Sequence, residues 1–136
     1  MKVSVLIIIL LFAYLFCLGI KATEWTKVTK GQNGHTFFID MKKLNENKGY
    51  VYFWQLINYY EKDEYGDFSA KIYVKGDCNI FKFKWLKVAY HKMLMGEDQV
   101  KPEKPSKLVS KWQFPKFGST SYTVLQYVCE NKGLIL

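Results

Sequence analysis

The strongest constraint on this chain is a pair of cysteines, Cys78 and Cys129, set 51 residues apart in a sequence of 136. A third, Cys17, lies in an N-terminal stretch that carries no charge from Val3 to Ile20 and is bracketed by Lys2 and Lys21. Such a stretch reads as a secretory signal, with the small Ala22 as its cleavage site. Its 18 apolar residues also approach the length of a membrane span, so an uncleaved anchor is the alternative. The expected organisation is a signal over residues 1–22 and a single domain over 23–136. A lipid-modified Cys17 would need a small residue before it, and Phe16 is not small. Export leaves Cys78 and Cys129 in an oxidising compartment, where two cysteines permit one intramolecular connectivity, and we expect a disulfide between them. In the chain-entropy account such a closure contributes about 4 kcal/mol, a large share of the stability of a domain this small.

Other cysteine chemistry finds no support. The two histidines, His35 and His91, do not pair with a cysteine at ligand spacing, so neither a metal nor a cofactor is predicted. The chain has no nucleophile elbow, no HExxH and no phosphate-binding loop. Ser69, His35 and His91 are the catalytic residue types present, and no catalytic residue is assigned.

All 20 basic residues are lysine, against 12 acidic residues, for a net charge of +8. Cleavage after Ala22 would remove Lys2 and Lys21 and leave +6. Without a planar bidentate arginine fork, nucleic-acid readout is not expected. The excess suits acidic polysaccharide, anionic lipid head groups or acidic protein patches, and it also serves plain solubility.

Residues 24–29 read as a first strand, a GQNG turn follows at 31–34, and HTFFID at 35–40 reads as a second strand. Asp40 before MKKL predicts a capped helical turn, and ENKG at 46–49 a break. YVYFWQLINYY, residues 50–60, is apolar on both alternating sets, with Tyr52, Trp54 and Leu56 on one, as expected of a central strand in a covered sheet. The acidic loop at 61–67 lacks calcium-loop spacing and reads as a solvated turn.

Strands at 69–75 and 79–85 flank Gly76-Asp77, which predicts a two-residue type II′ hairpin. Ile72 then faces Phe81 and Val74 faces Asn79, so Ile72, Val74, Phe81 and Phe83 form a buried face. Lys71, Tyr73, Lys75, Lys82 and Lys84 lie on the opposite face and are the candidate partner-binding residues; the bland reading is a wet strand face. Residues 93–111 read as a long connection, first as a mobile connector and second as a segment whose lysines, Met93 and Met95 contact a partner. Trp112 to Pro115 pins the chain again. Ser119-Thr120-Ser121 caps a terminal helix with Tyr122, Leu125, Val128 and Cys129 at helical spacing. The tail, GLIL at 133–136, has no assigned place.

Taken in order, Trp25, FFIDMKKL, YVYFWQLINYY, YGDFSAKIYVKGDCNIFKFKWL, HKMLMG, WQFP and the terminal Val-Cys resemble the surface-adhesin protein E family of small exported bacterial proteins. The resemblance covers nearly the whole chain after residue 22. It implies an α+β fold, an antiparallel sheet of about five to six strands with a C-terminal helix packed on it and one disulfide. It also implies a non-catalytic binding domain in the periplasm or on the outer surface of a Gram-negative bacterium. The expected partners are proteins or acidic polysaccharides, with no nucleic acid, with membrane contact through an uncleaved N-terminal segment only, and with a homodimer compatible with the family. A periplasmic enzyme inhibitor or envelope accessory protein is the alternative.

Overall fold

The computed structural model describes residues 3–5, 7–10 and 23–134. Residues 3–5 and 7–10 are helical. Cys17, Ala22 and most of the expected signal lie outside the described residues, as do the last two residues of the tail. Among the described residues no helix is long and apolar enough to cross a membrane.

Six antiparallel strands form one sheet: β1 (Thr26–Lys30), β2 (Thr36–Ile39), β3 (Asn45–Asn47), β4 (Tyr50–Asn58), β5 (Ser69–Asp77) and β6 (Lys82–His91). Their spatial order is β1-β2-β4-β5-β6, and β3 pairs with β4 beyond the end of β2. The long aromatic strand therefore sits in the middle, as its double-sided pattern requires. Between β2 and β3, Asp40 accepts a hydrogen bond from Lys42 N at 3.2 Å and starts a one-turn 3-10 helix, Met41–Lys43. The break expected at 46–49 is instead a tight hairpin. Asn47 pairs with Tyr50, and the two residues between, Lys48 and Gly49, have φ of 52° and 81°, the left-handed pair that matches strand twist. Strand β3 is three exposed polar residues, so nothing apolar marked it.

The terminal helix α1 (Thr120–Asn131) begins where expected, with the Ser119 hydroxyl accepting from Tyr122 N at 3.2 Å. Its buried stripe, Val124, Leu125 and Val128, packs on the inner sheet face, where Phe37, Ile39, Val51, Phe53, Ile72, Val74 and Val88 complete the core. Cys129 meets Cys78 at the hairpin mouth, with Cα atoms 5.7 Å apart.

Gly76-Asp77 does not form the hairpin turn. Both residues belong to β5, the pairing runs Asp77 with Lys82 and Lys75 with Lys84, and the turn is 78–81. Asp77 builds it by accepting from Asn79 N and Ile80 N, each at 3.0 Å, and Phe81 closes it at φ 61°. Gly76 gives space: a Cβ there would lie 2.9 Å from both Leu125 Cδ1 and Val51 Cγ2, so one of these side chains would have to shift. Ile72 thus pairs with Val88 and Val74 with Trp85, across a bulge at Leu86. Phe81 leaves the core and packs on the Tyr122 ring, with centroids 4.7 Å apart.

The long connection after β6 is not a mobile connector. It runs back along the open edge of β6 as a strap. Val88 and Glu103 exchange two backbone hydrogen bonds of 3.0 and 2.9 Å, Trp85 N donates to Val109 O at 3.0 Å, and Phe83 and Gln113 exchange two more at 3.0 and 2.8 Å. These bonds satisfy an edge that would otherwise invite pairing with another chain.

Two stability predictions follow from this packing. Replacing Cys78 and Cys129 together by serine lowers the unfolding free energy by about 4 kcal/mol in denaturant titrations and leaves the sheet spectrum in place. Gly76→Ala, read the same way, costs about 1–3 kcal/mol because Leu125 or Val51 must shift.

Candidate functional site

Cross-strand pairing lays the outer sheet face out in rows across β4, β5 and β6. From the hairpin mouth they are Tyr50, Asp77 and Lys82; Tyr52, Lys75 and Lys84; Trp54, Tyr73 and Lys87; Leu56, Lys71 and Ala89; and Asn58, Ser69 and His91. The first three rows are open and the last two are covered.

Over the open rows the strap contributes Trp112, stacked on Tyr50 with ring centroids 6.0 Å apart. Lys82 Nζ stands 4.4 Å and Lys84 Nζ 4.9 Å from the centre of the Trp112 ring. Lys75 Nζ lies 4.0 Å over Tyr50, 5.5 Å from Tyr52 and 5.9 Å from Trp112. Trp54 and Tyr73 extend the platform as a stacked pair at 5.0 Å. Each cation–π contact is worth about 0.5–1 kcal/mol at an exposed site, enough to hold lysines of like charge together. Among the described residues none of Lys75, Lys82 and Lys84 is in an ion pair.

The covered rows are closed by a short 3-10 turn, Leu94–Gly96. The Ser69 hydroxyl donates to Met93 O at 2.6 Å and accepts from Gly96 N at 3.0 Å. Asn58 Oδ1 accepts from Met95 N at 2.8 Å and holds Met95 at φ 59°. Lys71 Nζ donates to Gly96 O at 2.7 Å, and its burial, only partly offset by the Asp98 charge, lowers its pKa. His91, 2% exposed, sets Nδ1 3.1 Å from both the carbonyl and the carboxylate of Asp98. Both are acceptors, so Nδ1 carries the proton.

Ser69, His91 and Asp98 thus come together as hydroxyl, imidazole and acid, but not as a catalytic set. Ser69 is 0% exposed and donates its hydrogen bond to a backbone carbonyl, while His91 Nε2 has no hydrogen-bond partner among the described residues. His35 is also structural, its Nδ1 accepting from Tyr60 N at 3.1 Å.

Of the five candidate partner-binding residues, Tyr73, Lys75, Lys82 and Lys84 lie in the open rows, and Lys71 is committed beneath the 3-10 turn. Trp112, Tyr50, Tyr52 and Trp54 were not among the candidates. Tyr52 and Trp54 read as covered because they alternate with core residues, yet of the set Tyr52, Trp54 and Leu56 only Leu56, at 0% exposure, is under cover.

The model of the surface-adhesin protein E family matches residues 25–130. The chain belongs to that family. In fold, it is similar to solved structures of Haemophilus influenzae protein E. One crystal form matches with a TM-score of 0.60 at 17% identity, covering 85% of this chain and 93% of that one. A second structure of that protein matches at 0.57 and 18%, covering 87% and 92%. A third, from a non-typeable strain, matches at 0.55 and 17%, covering 86% and 82%. No curated protein matches the chain by sequence. At these identities the structures speak for the fold, and the family match places the chain among surface adhesins.

At the far end of β4, Asn33, His35, Tyr59, Tyr60 and Asp63 line a separate open cleft. Burial, helped by Tyr90, Asp63 and Asp67, pushes the Tyr59 pKa up to about 12. An unfolded tyrosine loses its proton near its ordinary value of about 10, so between these two values the unfolded state holds fewer protons. Stability contributed by Tyr59 is therefore complete below about pH 10 and is lost as pH rises to about 12. Denaturant titrations across this range will show a fall that Tyr59→Phe reduces, alongside loss of a late-titrating phenolate absorbance.

Proposed function

We propose that the open rows form the contact surface of an exported, non-catalytic binding domain that attaches to acidic polysaccharide or to acidic patches on proteins. The observation that carries this reading is the convergence of three lysine ammonium groups on the Trp112 and Tyr50 rings, beside a single carboxylate, Asp77, that is buried and accepts from the backbone nitrogens of its own turn. A flat aromatic platform takes the apolar face of a sugar ring or side chain, and the lysines beside it take sulfate or carboxylate groups. Membership in a surface-adhesin family and the Cys78–Cys129 disulfide, a bond type that persists in oxidising compartments, support export to the periplasm or outer surface of a Gram-negative cell. The buried, proton-committed Ser69 supports a role without chemistry.

The test is binding to a heparin-like sulfated polysaccharide and to purified matrix proteins as salt is raised. Wild type binds one or more of them at low salt, and screening weakens the complex. Replacing Lys75, Lys82 and Lys84 by methionine weakens it at least about tenfold, about 1.4 kcal/mol, and Trp112→Ala weakens it without removing charge. Absence of salt-sensitive binding to every one of these ligands would sink the proposal.

A further inference from the structure

The strap presents a second surface of different character. Leu108, Phe114 and Phe117 are 80%, 67% and 88% exposed, far more than large apolar side chains that share a core. They are interleaved with five exposed lysines, Lys101, Lys104, Lys107, Lys111 and Lys116, against a single acid, Glu103, over residues 101–117. None of these lysines is in an ion pair among the described residues. The backbone beneath is fixed: Val109 and Gln113, beside Leu108 and Phe114, bond to Trp85 and Phe83 on the β6 edge. Phe117 is held edge-on against Tyr122 at 5.1 Å. Three apolar tips are thus held out along one edge of the sheet by a rigid support.

We propose that this strap is a membrane-surface contact, setting Leu108, Phe114 and Phe117 into the headgroup boundary of an anionic bilayer while the surrounding lysines meet lipid phosphates. A polysaccharide would satisfy the lysines but offers no apolar medium for the three tips. An anionic bilayer satisfies both, by apolar burial at the acyl boundary together with attraction of a basic segment to negative head groups. The contact is separate from the N-terminal segment, and Leu108, Phe114, Phe117 and the five lysines are not residues of the proposed adhesion face, to which the same strap lends Trp112. It would hold the domain against a lipid surface by its β6 edge.

The test uses the full chain and vesicles of phosphatidylglycerol mixed with phosphatidylethanolamine, with phosphatidylcholine vesicles for comparison. A fluorophore is attached at Phe117→Cys in a Cys17→Ser background, and a second sample carries it at Tyr65→Cys on the acidic loop. Lipids brominated in the acyl chain should quench the label at 117 in anionic vesicles only and leave the label at 65 unaffected. This local readout holds even where the N-terminal segment itself tethers the protein to the vesicle. In the same vesicles, Phe114→Ser with Lys111→Gln and Lys116→Gln should reduce quenching of the 117 label at least about tenfold in apparent affinity. Its melting temperature should stay unchanged, since these side chains are exposed. Binding to sulfated polysaccharide through Lys75, Lys82 and Lys84 should persist, which separates this surface from the adhesion face. Equal quenching in phosphatidylcholine, equal quenching at both positions, or none at 117 would overturn the proposal. So would tight binding of an acidic protein that the serine and glutamine changes abolish while vesicle quenching is absent.

Discussion

The fold depends on the packing of α1 on the inner face of the sheet. The packing is tight at Gly76, where one added carbon would meet Leu125 Cδ1 and Val51 Cγ2 at 2.9 Å. Both ends of the helix are tied to the same hairpin. The Phe83–Gln113 bridge holds the strap that leads into the helix, and the Cys78–Cys129 bond holds its last turns. The inner sheet face is consequently covered by a helix that cannot swing away without breaking either an edge pairing or a covalent bond. A small domain with one modest core gains more from such closure than from any single side chain.

Covering one face fixes what the other can become. The large core side chains of β4 and β5, Val51, Phe53, Ile72 and Val74, are spent on the helix side, and alternation sends Tyr50, Tyr52, Trp54, Tyr73 and Lys75 outward. Two of the five rows of that outer face are then sealed by the Leu94–Gly96 turn, which draws Lys71 inward. The remaining three rows keep their aromatic rings and ammonium groups in contact with water. Lysine–lysine repulsion there is moderated by the rings and by salt, which acts over a Debye length of about 8 Å under physiological conditions.

The disulfide, the capped helix, the central position of β4 and the lysine face could all be read from residue type and period. The lysine face survived an error in the hairpin. Moving the turn from Gly76-Asp77 to residues 78–81 changed Val74's partner from Asn79 to Trp85, a shift of six residues, and an even shift preserves which side each residue faces. The turn itself was misread because glycine serves two needs, left-handed backbone and close packing, and sequence does not say which applies. Strand β3 and the strap escaped notice because their pairing is by backbone, with polar or irregular side chains. Trp112 could not be placed on the face because its neighbours there are distant in sequence.

The covered and open rows of the outer face differ in which groups they leave accessible. Ser69, His91 and Asp98 are residues that elsewhere make a nucleophile and its base, and here the hydroxyl is buried, donating a hydrogen bond to Met93 O and accepting one from Gly96 N. What remains accessible is charge and flat apolar area. With no arginine anywhere in the chain, that surface lacks the rigid forks that read one phosphate or carboxylate geometry. Lysines on flexible stems recognise charge density more than shape, so selectivity must come from the spacing of the rings, Tyr50, Trp112, Trp54 and Tyr73. A surface built this way suits extended, repetitive anionic partners met in many registers, as attachment requires, better than a single small molecule held in one pose.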